Sequence, residues 1–262
     1  MGRFLKLYLH FLKLAWMRSL EYRVNFLTWM VVDTGWSFLD MIFFSALINF
    51  TQVIGTWNRG QALVVIGVFR LLVIPVWGWM FASFSKIPRL ISEGKLDLLL
   101  GKPVDNQFLV SVQDFSFSIL PSLITGSVFT VYGLHLLHIV PSLWQILLFF
   151  WLLIPSTILM YSLYFGSVAL SLYFDRLDNI YHIFPTLYDV GKYPAGIYPL
   201  LLQRIFTTIL PLSLMIIVPA ESLFSSPSIT NLLLFHSSAL LLFFLSRRLW
   251  SSGLRRYSSA SS

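Results

Sequence analysis

The chain has no cysteine, which removes disulfide frameworks, zinc–cysteine centres and thiol nucleophiles together. Charge is also scarce: 11% of the 262 residues are Asp, Glu, Lys or Arg, against about 25% in soluble domains. Acidic residues are the scarcer kind, 11 against 18 basic. What fills the chain is apolar, 57% hydrophobic and 17% aromatic, with a mean hydropathy of +0.78. This is the composition of an integral membrane protein. Spans of about 20 residues with short loops use up the whole length and leave no room for a soluble catalytic domain. The net charge of +7 would suit nucleic acid in a soluble protein. Here it marks loops held on the cytoplasmic side, and no nucleic-acid partner is expected.

A cleavable leader is not expected either. The apolar start is broken by Lys6, His10, Lys13 and Arg18, whereas a signal peptide needs an uninterrupted apolar core and a small-residue cleavage site. At 100° per residue Arg3, Lys6, His10 and Lys13 share one arc, and Phe4, Leu5, Tyr8, Phe11, Leu12, Ala15 and Trp16 cover the other. That pattern predicts an amphipathic helix over 3–23 lying in the membrane interface, with its positive face on lipid headgroups.

Five apolar segments follow, at about 26–48, 61–84, 115–133, 143–173 and 229–249, each long enough to span as a helix. A fifth region at 177–220 admits two arrangements. Leu200 to Ala220 forms a plain span and leaves 174–199 as a cytoplasmic loop, or Leu177 to Gly191 is a short span and Pro194 to Ala220, broken by three prolines, re-enters from the outer face. Both give six transmembrane helices. Basic residues gather in 1–25, 85–113 and the tail 250–262 with its adjoining Arg247 and Arg248, so both termini and the 85–113 loop are expected in the cytoplasm of a multi-pass cell-membrane protein.

The 85–113 loop is the one long charged interruption. Its GKLDLLLGKP stretch fails as a phosphate-binding loop, because Leu96 stands where the first glycine belongs and Pro103 where the hydroxyl belongs. It is expected instead to form an amphipathic helix over Pro88 to Leu100, burying Ile87, Leu90, Ile91, Leu98 and Leu99. A plain solvated connector of this length would be unusual, since connections run to about 4–6 residues.

Within the spans stand Asp33, Asp40 and Arg70. The two aspartates, seven apart, share a helix face. Helical rise puts Asp33, Arg70 and Asp40 at depths of about 10, 16 and 21 Å from the inner edge. They predict an intramembrane ion pair between antiparallel neighbours, ahead of a substrate or proton site, since buried charges pair. His135 and His138 at i, i+3 would make a weak metal site without a carboxylate, so no metal or cofactor is expected. The tryptophans suit interfacial anchoring, and no catalytic constellation is present. A lipid-modifying enzyme would need clustered acids or a nucleophile at one interface. A secondary transporter would show broken helices in both of two repeated halves. A non-transporting scaffold is not excluded by composition.

Four segments in order, MRSLEYRVNF, ISEGKLDLLLGKPVD, KYPAGIYPLLLQRIFTTILPLSLMIIVPAESL and GLRRYSSAS, resemble the permease subunits of ABC-2-type transporters, in the branch of small six-helix ABC-2 family transporter proteins. The resemblance covers nearly the whole chain. It implies an all-α membrane domain over 1–262, a partner ATPase docked under the 85–113 loop, and a second permease subunit, the same chain or a related one. It implies that the loop acts as a coupling helix, with Glu93, Gly94, Lys95, Leu96, Asp97 and Pro103 as contact or shape residues. It implies an exporter with no nucleotide site of its own.

Overall fold

The computed structural model describes residues 2–51, 57–174, 177, 179–193 and 198–257, without the side chains of residues 3, 47–51 and 209. The expected roles of Arg3, of residues 194–197 and of the tail beyond Tyr257 therefore lie outside the described residues. The described chain is helical throughout. Helix α1 (Gly2–Glu21) turns at Tyr22 into α2 (Arg23–Thr51). Helix α3 (Arg59–Val73) continues through a π-helical stretch, Ile74–Phe81, and one more turn, Ala82–Phe84. The short helices α4 (Ile87–Ser92), α5 (Asp97–Leu100) and α6 (Asn106–Ser111) form the loop. Then come α7 (Pro121–Leu136), α8 (Leu143–Ala169), α9 (Ile183–Tyr188), α10 (Leu200–Arg204), α11 (Leu212–Glu221) and α12 (Ile229–Leu254).

Among the described residues four helical stretches are long and apolar enough to cross a membrane: Arg59–Ser92, Phe117–Leu136, Leu143–Leu172 and Ile229–Leu254. The pair Leu200–Thr208 and Leu212–Glu221, bent by 75°, makes a fifth if it counts as one span. Six were expected; α2, 29 residues long, is outside this count, and its described side chains end at residue 46.

Helix α3 is the buried axis, with Val64, Val65, Ile66 and Val68 all closed off. It begins where Asn58 caps it. The Asn58 side chain accepts from the Gln61 N–H at 3.0 Å while the Gln61 side chain accepts from the Asn58 N–H at 3.0 Å, so two of the orphan donors of the first turn are satisfied. Glycines let α3 and α7 touch backbone to backbone. A Cβ on Gly67 would lie 2.7 Å from the Gly126 carbonyl oxygen, and one on Gly133 would lie 2.7 Å from that of Gly60. Each helix carries its pair seven residues apart, so both contacts fall on one face.

Around this axis, α8 packs on α12 through Phe165 and Trp250, 5.1 Å apart, and on α11 through a Ser156 hydroxyl that donates to the Met215 carbonyl at 2.8 Å. Residues 180–193 pack one side against the bundle, burying Ile180, Phe184, Pro185 and Tyr188, while His182, Ile183, Thr186 and Asp189 stay exposed. Tyr188 stacks on Phe69 at 4.8 Å and donates to its carbonyl at 2.8 Å, and Phe184 stacks on Tyr164 at 5.1 Å. These aromatic rings are apolar enough to stay in the core, and their burial outweighs the polar residues between them.

The single amphipathic helix expected over Pro88 to Leu100 is two helices. Gly94 has φ = 67°, a left-handed conformation that costs any other residue about 1–2 kcal/mol, and it breaks the helix between α4 and α5. Ile87 and Leu96 are fully buried, while Leu98, expected inside, is 72% exposed.

Candidate functional site

A cavity of about 860 Å³ opens beside α2 and α3. One stripe of α2 lines it, Phe26, Trp29, Asp33, Trp36 and Asp40, at the three-, four- and seven-residue spacing of a helix face. The facing stripe of α3 and its π-helical extension supplies Phe69, Arg70, Val73, Trp77 and Phe81. Arg18 of α1 and Asp114 line one end, and Asp189 and Lys192 line another part of the wall. Trp29, Trp36 and Trp77 thus wall a cavity rather than serve only as interfacial anchors. The signal was there in the sequence, since Trp29 and Trp36 repeat the seven-residue interval of Asp33 and Asp40.

The charged residues of the cavity form one cluster. Arg70 lies with Nη1 3.8 Å from Asp33 Oδ1 and Nε 3.5 Å from Asp40 Oδ2, and its Nη2 donates to the Asp33 carbonyl oxygen at 3.3 Å. At Asp40 this is an ion-pair contact only, and Arg70 Nε has no hydrogen-bond partner. The Ser122 hydroxyl of α7 reaches both Asp33 oxygens, at 2.9 and 2.8 Å. Lys192 adds a fourth charge that sequence reasoning missed. Its Nζ sits 3.2 Å from Asp40 Oδ1, brought there from a proline-rich region without periodicity that gave no depth estimate.

At the end near α1, Asp114 accepts from both Arg18 and Lys86. Its backbone exchanges hydrogen bonds with Ser83, whose hydroxyl donates to the Asp114 carbonyl at 3.0 Å and accepts from its N–H at 3.1 Å. Just above, the π-helical stretch is tied to the same strand of chain. The Ser116 N–H donates to the Gly78 carbonyl at 2.6 Å, and Trp79 Nε1 donates to the Ser111 carbonyl at 2.6 Å. Carbonyls displaced in a π-helix need such partners.

The loop begins where α3 ends. Glu93 accepts from Arg89 Nε at 2.5 Å and from Lys95 Nζ at 2.6 Å. These hydrogen bonds, Lys95 first and Arg89 second, hold its carboxyl below the ordinary carboxylate range. Leu96 plugs into the body, Asp97 opens α5 in its first turn, and Pro103 is exposed. Further on, Asp105 caps α6 by accepting from the Phe108 N–H at 2.9 Å and pairs with Arg247 of α12, which also donates to Gln107 at 3.1 Å.

The family model described as "ABC-2 family transporter protein" matches residues 34–261. The chain belongs to this family. It is a multi-pass membrane protein and the membrane permease of an ABC transporter. No curated protein and no solved structure matches it significantly. The permease brings Asp33, Asp40 and Arg70 into ion-pair distance and keeps Glu93, Gly94, Lys95, Leu96 and Asp97 together at one turn, with Pro103 beyond α5. His135 and His138 stand with ring centres 6.5 Å apart, and among the described residues no three or more acidic or histidine side chains gather as a metal site.

Proposed function

We propose that the permease is one half of the translocation pathway of an ABC exporter, driven by a separate ATPase subunit seated under the 85–113 loop and paired with a second permease. In this proposal the chain crosses the membrane six times, with α2 as the first crossing and the 177–220 region as a short fifth crossing followed by a re-entrant bend. Both termini are cytoplasmic, and α1 lies among inner-leaflet headgroups. The chain itself hydrolyses nothing.

One observation supports the reading most: the helix that bears Arg70 at the cavity runs on through Ser92 as one 34-residue stretch into the loop. A push on α4 reaches α3 through the two-residue turn at Ser85 and Lys86 and the π-helical stretch, and α3 is a wall of the cavity. ATP binding in the partner would thus bias a two-state membrane element through a stiff lever. Exposed Glu93, Lys95, Leu98 and Pro103 form the surface offered to that partner, with Glu93, Gly94 and Asp97 setting its shape.

The test is reconstitution with the ATPase in liposomes. Vanadate-sensitive ATP hydrolysis and ATP-dependent uptake into inside-out vesicles are expected, and Glu93→Ala or Asp97→Ala should abolish uptake while membrane insertion persists. Normal uptake by both variants would remove the loop from the mechanism.

A further inference from the structure

Two carboxylates at the loop end of the cavity each hold two cations. Asp114 accepts from Arg18 and Lys86, and Glu93 accepts from Arg89 and Lys95. Each carboxylate can release one cation to a guest anion and keep a neutral pair, so such a guest strands no charge. A second hollow, of about 700 Å³, touches both triads. Lys86, Arg89 and Lys95 line it against Glu93 alone, three cations to one carboxylate. Counting the ion-pair partners outside its wall changes nothing, since Arg18 and Asp114 cancel. The three cations can turn toward a guest, because their side chains are 44%, 80% and 59% exposed. Ser85 and Tyr181 add hydroxyl donors to the same wall.

This hollow opens into the large cavity, since Phe81 and Ser85 line both. Beyond them the large cavity is walled by Val73 and Trp77 on one side and by Phe26, Trp29 and Val32 of α2 on the other. Roughly 15–18 Å of helix separate Ser85 from Val73, which matches the roughly 15 Å that one leaflet contributes to the hydrocarbon core. The far end has no positive excess to offer an anion, because Arg70 and Lys192 there meet Asp33, Asp40 and Asp189. Charge thus draws an anionic head to the loop end, and the aromatic wall takes an apolar tail.

We propose that this junction binds an anionic phospholipid of the inner leaflet, its phosphate among Lys86, Arg89 and Lys95 and one acyl chain laid along the wall between α2 and α3. Basic pockets between helices at the cytoplasmic level hold phosphate headgroups in this way. The inner-leaflet placement rests on the topology proposed above. Lipid binding is measured on the permease alone, so its failure leaves the ATPase reading standing, and a failed transport assay leaves the lipid site standing.

The experiment titrates the purified permease in neutral detergent with phosphatidylglycerol and with phosphatidylcholine of the same acyl chains, and counts bound lipids by native mass spectrometry. The first phosphatidylglycerol is expected to bind at least about tenfold tighter than the first phosphatidylcholine. Lys86→Gln with Arg89→Gln leaves two neutral pairs, Arg18 with Asp114 and Lys95 with Glu93, and should erase most of that preference. Arg248→Gln with Arg255→Gln removes the same charge from exposed residues outside the hollow and should keep it. Glycerol phosphate, the head without the tail, should not displace the lipid at the concentration where phosphatidylglycerol saturates. Equal affinities for the two lipids, a preference that survives the first double substitution or is lost in the second, or displacement by glycerol phosphate would each overturn the proposal. The comparison of the two lipids on the unmodified chain decides even if a variant fails to fold.

Discussion

Replacing Gly67 by alanine adds one methyl group where α3 crosses α7. That methyl would sit 2.3 Å from Thr130 Oγ1, 2.5 Å from the Thr130 nitrogen and 2.7 Å from the Gly126 carbonyl oxygen. Carbon contacts settle at about 3.5–4.0 Å, so the helices must part by roughly 1 Å. Two of the three atoms are backbone and cannot rotate away, which places the cost at the upper end of overpacking, about 3 kcal/mol. Gly35 of α2 supplies the control, since a methyl there meets nothing within 4 Å. Both substitutions gain the same helix propensity, about 1 kcal/mol, and the gain cancels in their difference. Gly67→Ala should therefore melt below Gly35→Ala by roughly 6–12 °C, at about 2–4 °C per kcal/mol for a chain of this size. Scanning fluorimetry of the native tryptophans measures this, since the chain offers no thiol to a reactive dye. Equal melting of the two variants would refute the close crossing.

Two further predictions concern charge. Arg70→Leu strands Asp33 and leaves Asp40 to Lys192 alone, and should destabilise by about 3 kcal/mol in the same melt. Asn at both aspartates in the Arg70→Leu background should restore most of the loss, and an Arg70→Leu protein of unchanged stability with altered transport would assign the cluster to substrate handling instead. The hydrogen bonds from Arg247 hold the Asp105 carboxyl below the ordinary range. Its contribution is therefore complete above the unfolded pKa of about 3.9 and disappears as the pH falls through the lower folded value. Both partners are more than a third exposed, so solvent screening limits the pair to about 1 kcal/mol or less. Asp105→Asn, which keeps the cap, should cost that much at pH 7 and progressively less as the pH falls below about 3.9, read by denaturant titration.

What the amino-acid sequence makes legible is what a regular helix converts into height and face. Asp33, Asp40 and Arg70 could be given depths because their helices are long and unbroken. The loop could be assigned to water because its charges leave no alternative. Lys192 could not be placed, because Pro194, Pro199 and Pro211 interrupt any count of turns. The split of the loop helix hinges on one glycine with positive φ, and Gly94 carries no mark in the sequence to separate it from a glycine tolerated within a helix. The glycine pairs of α3 and α7 had a readable interval, but close approach is a relation between two helices, and neither sequence alone says which other helix it meets.

The crossing of α3 and α7 also limits how the permease can move. Helices in backbone contact at two points a heptad apart cannot slide past each other without a steric clash, and parting them forfeits packing and opens voids, so they form a single stiff frame. One wall of the cavity belongs to that frame and the opposite wall to α2, which meets α1 at the one-residue turn of Tyr22. In the proposed cycle, widening or closing the cavity is then a movement of this frame, carried by the loop, relative to the α1–α2 pair. The Asp33–Ser122 hydrogen bonds, which join the α2 wall to the frame, would have to break in any such movement.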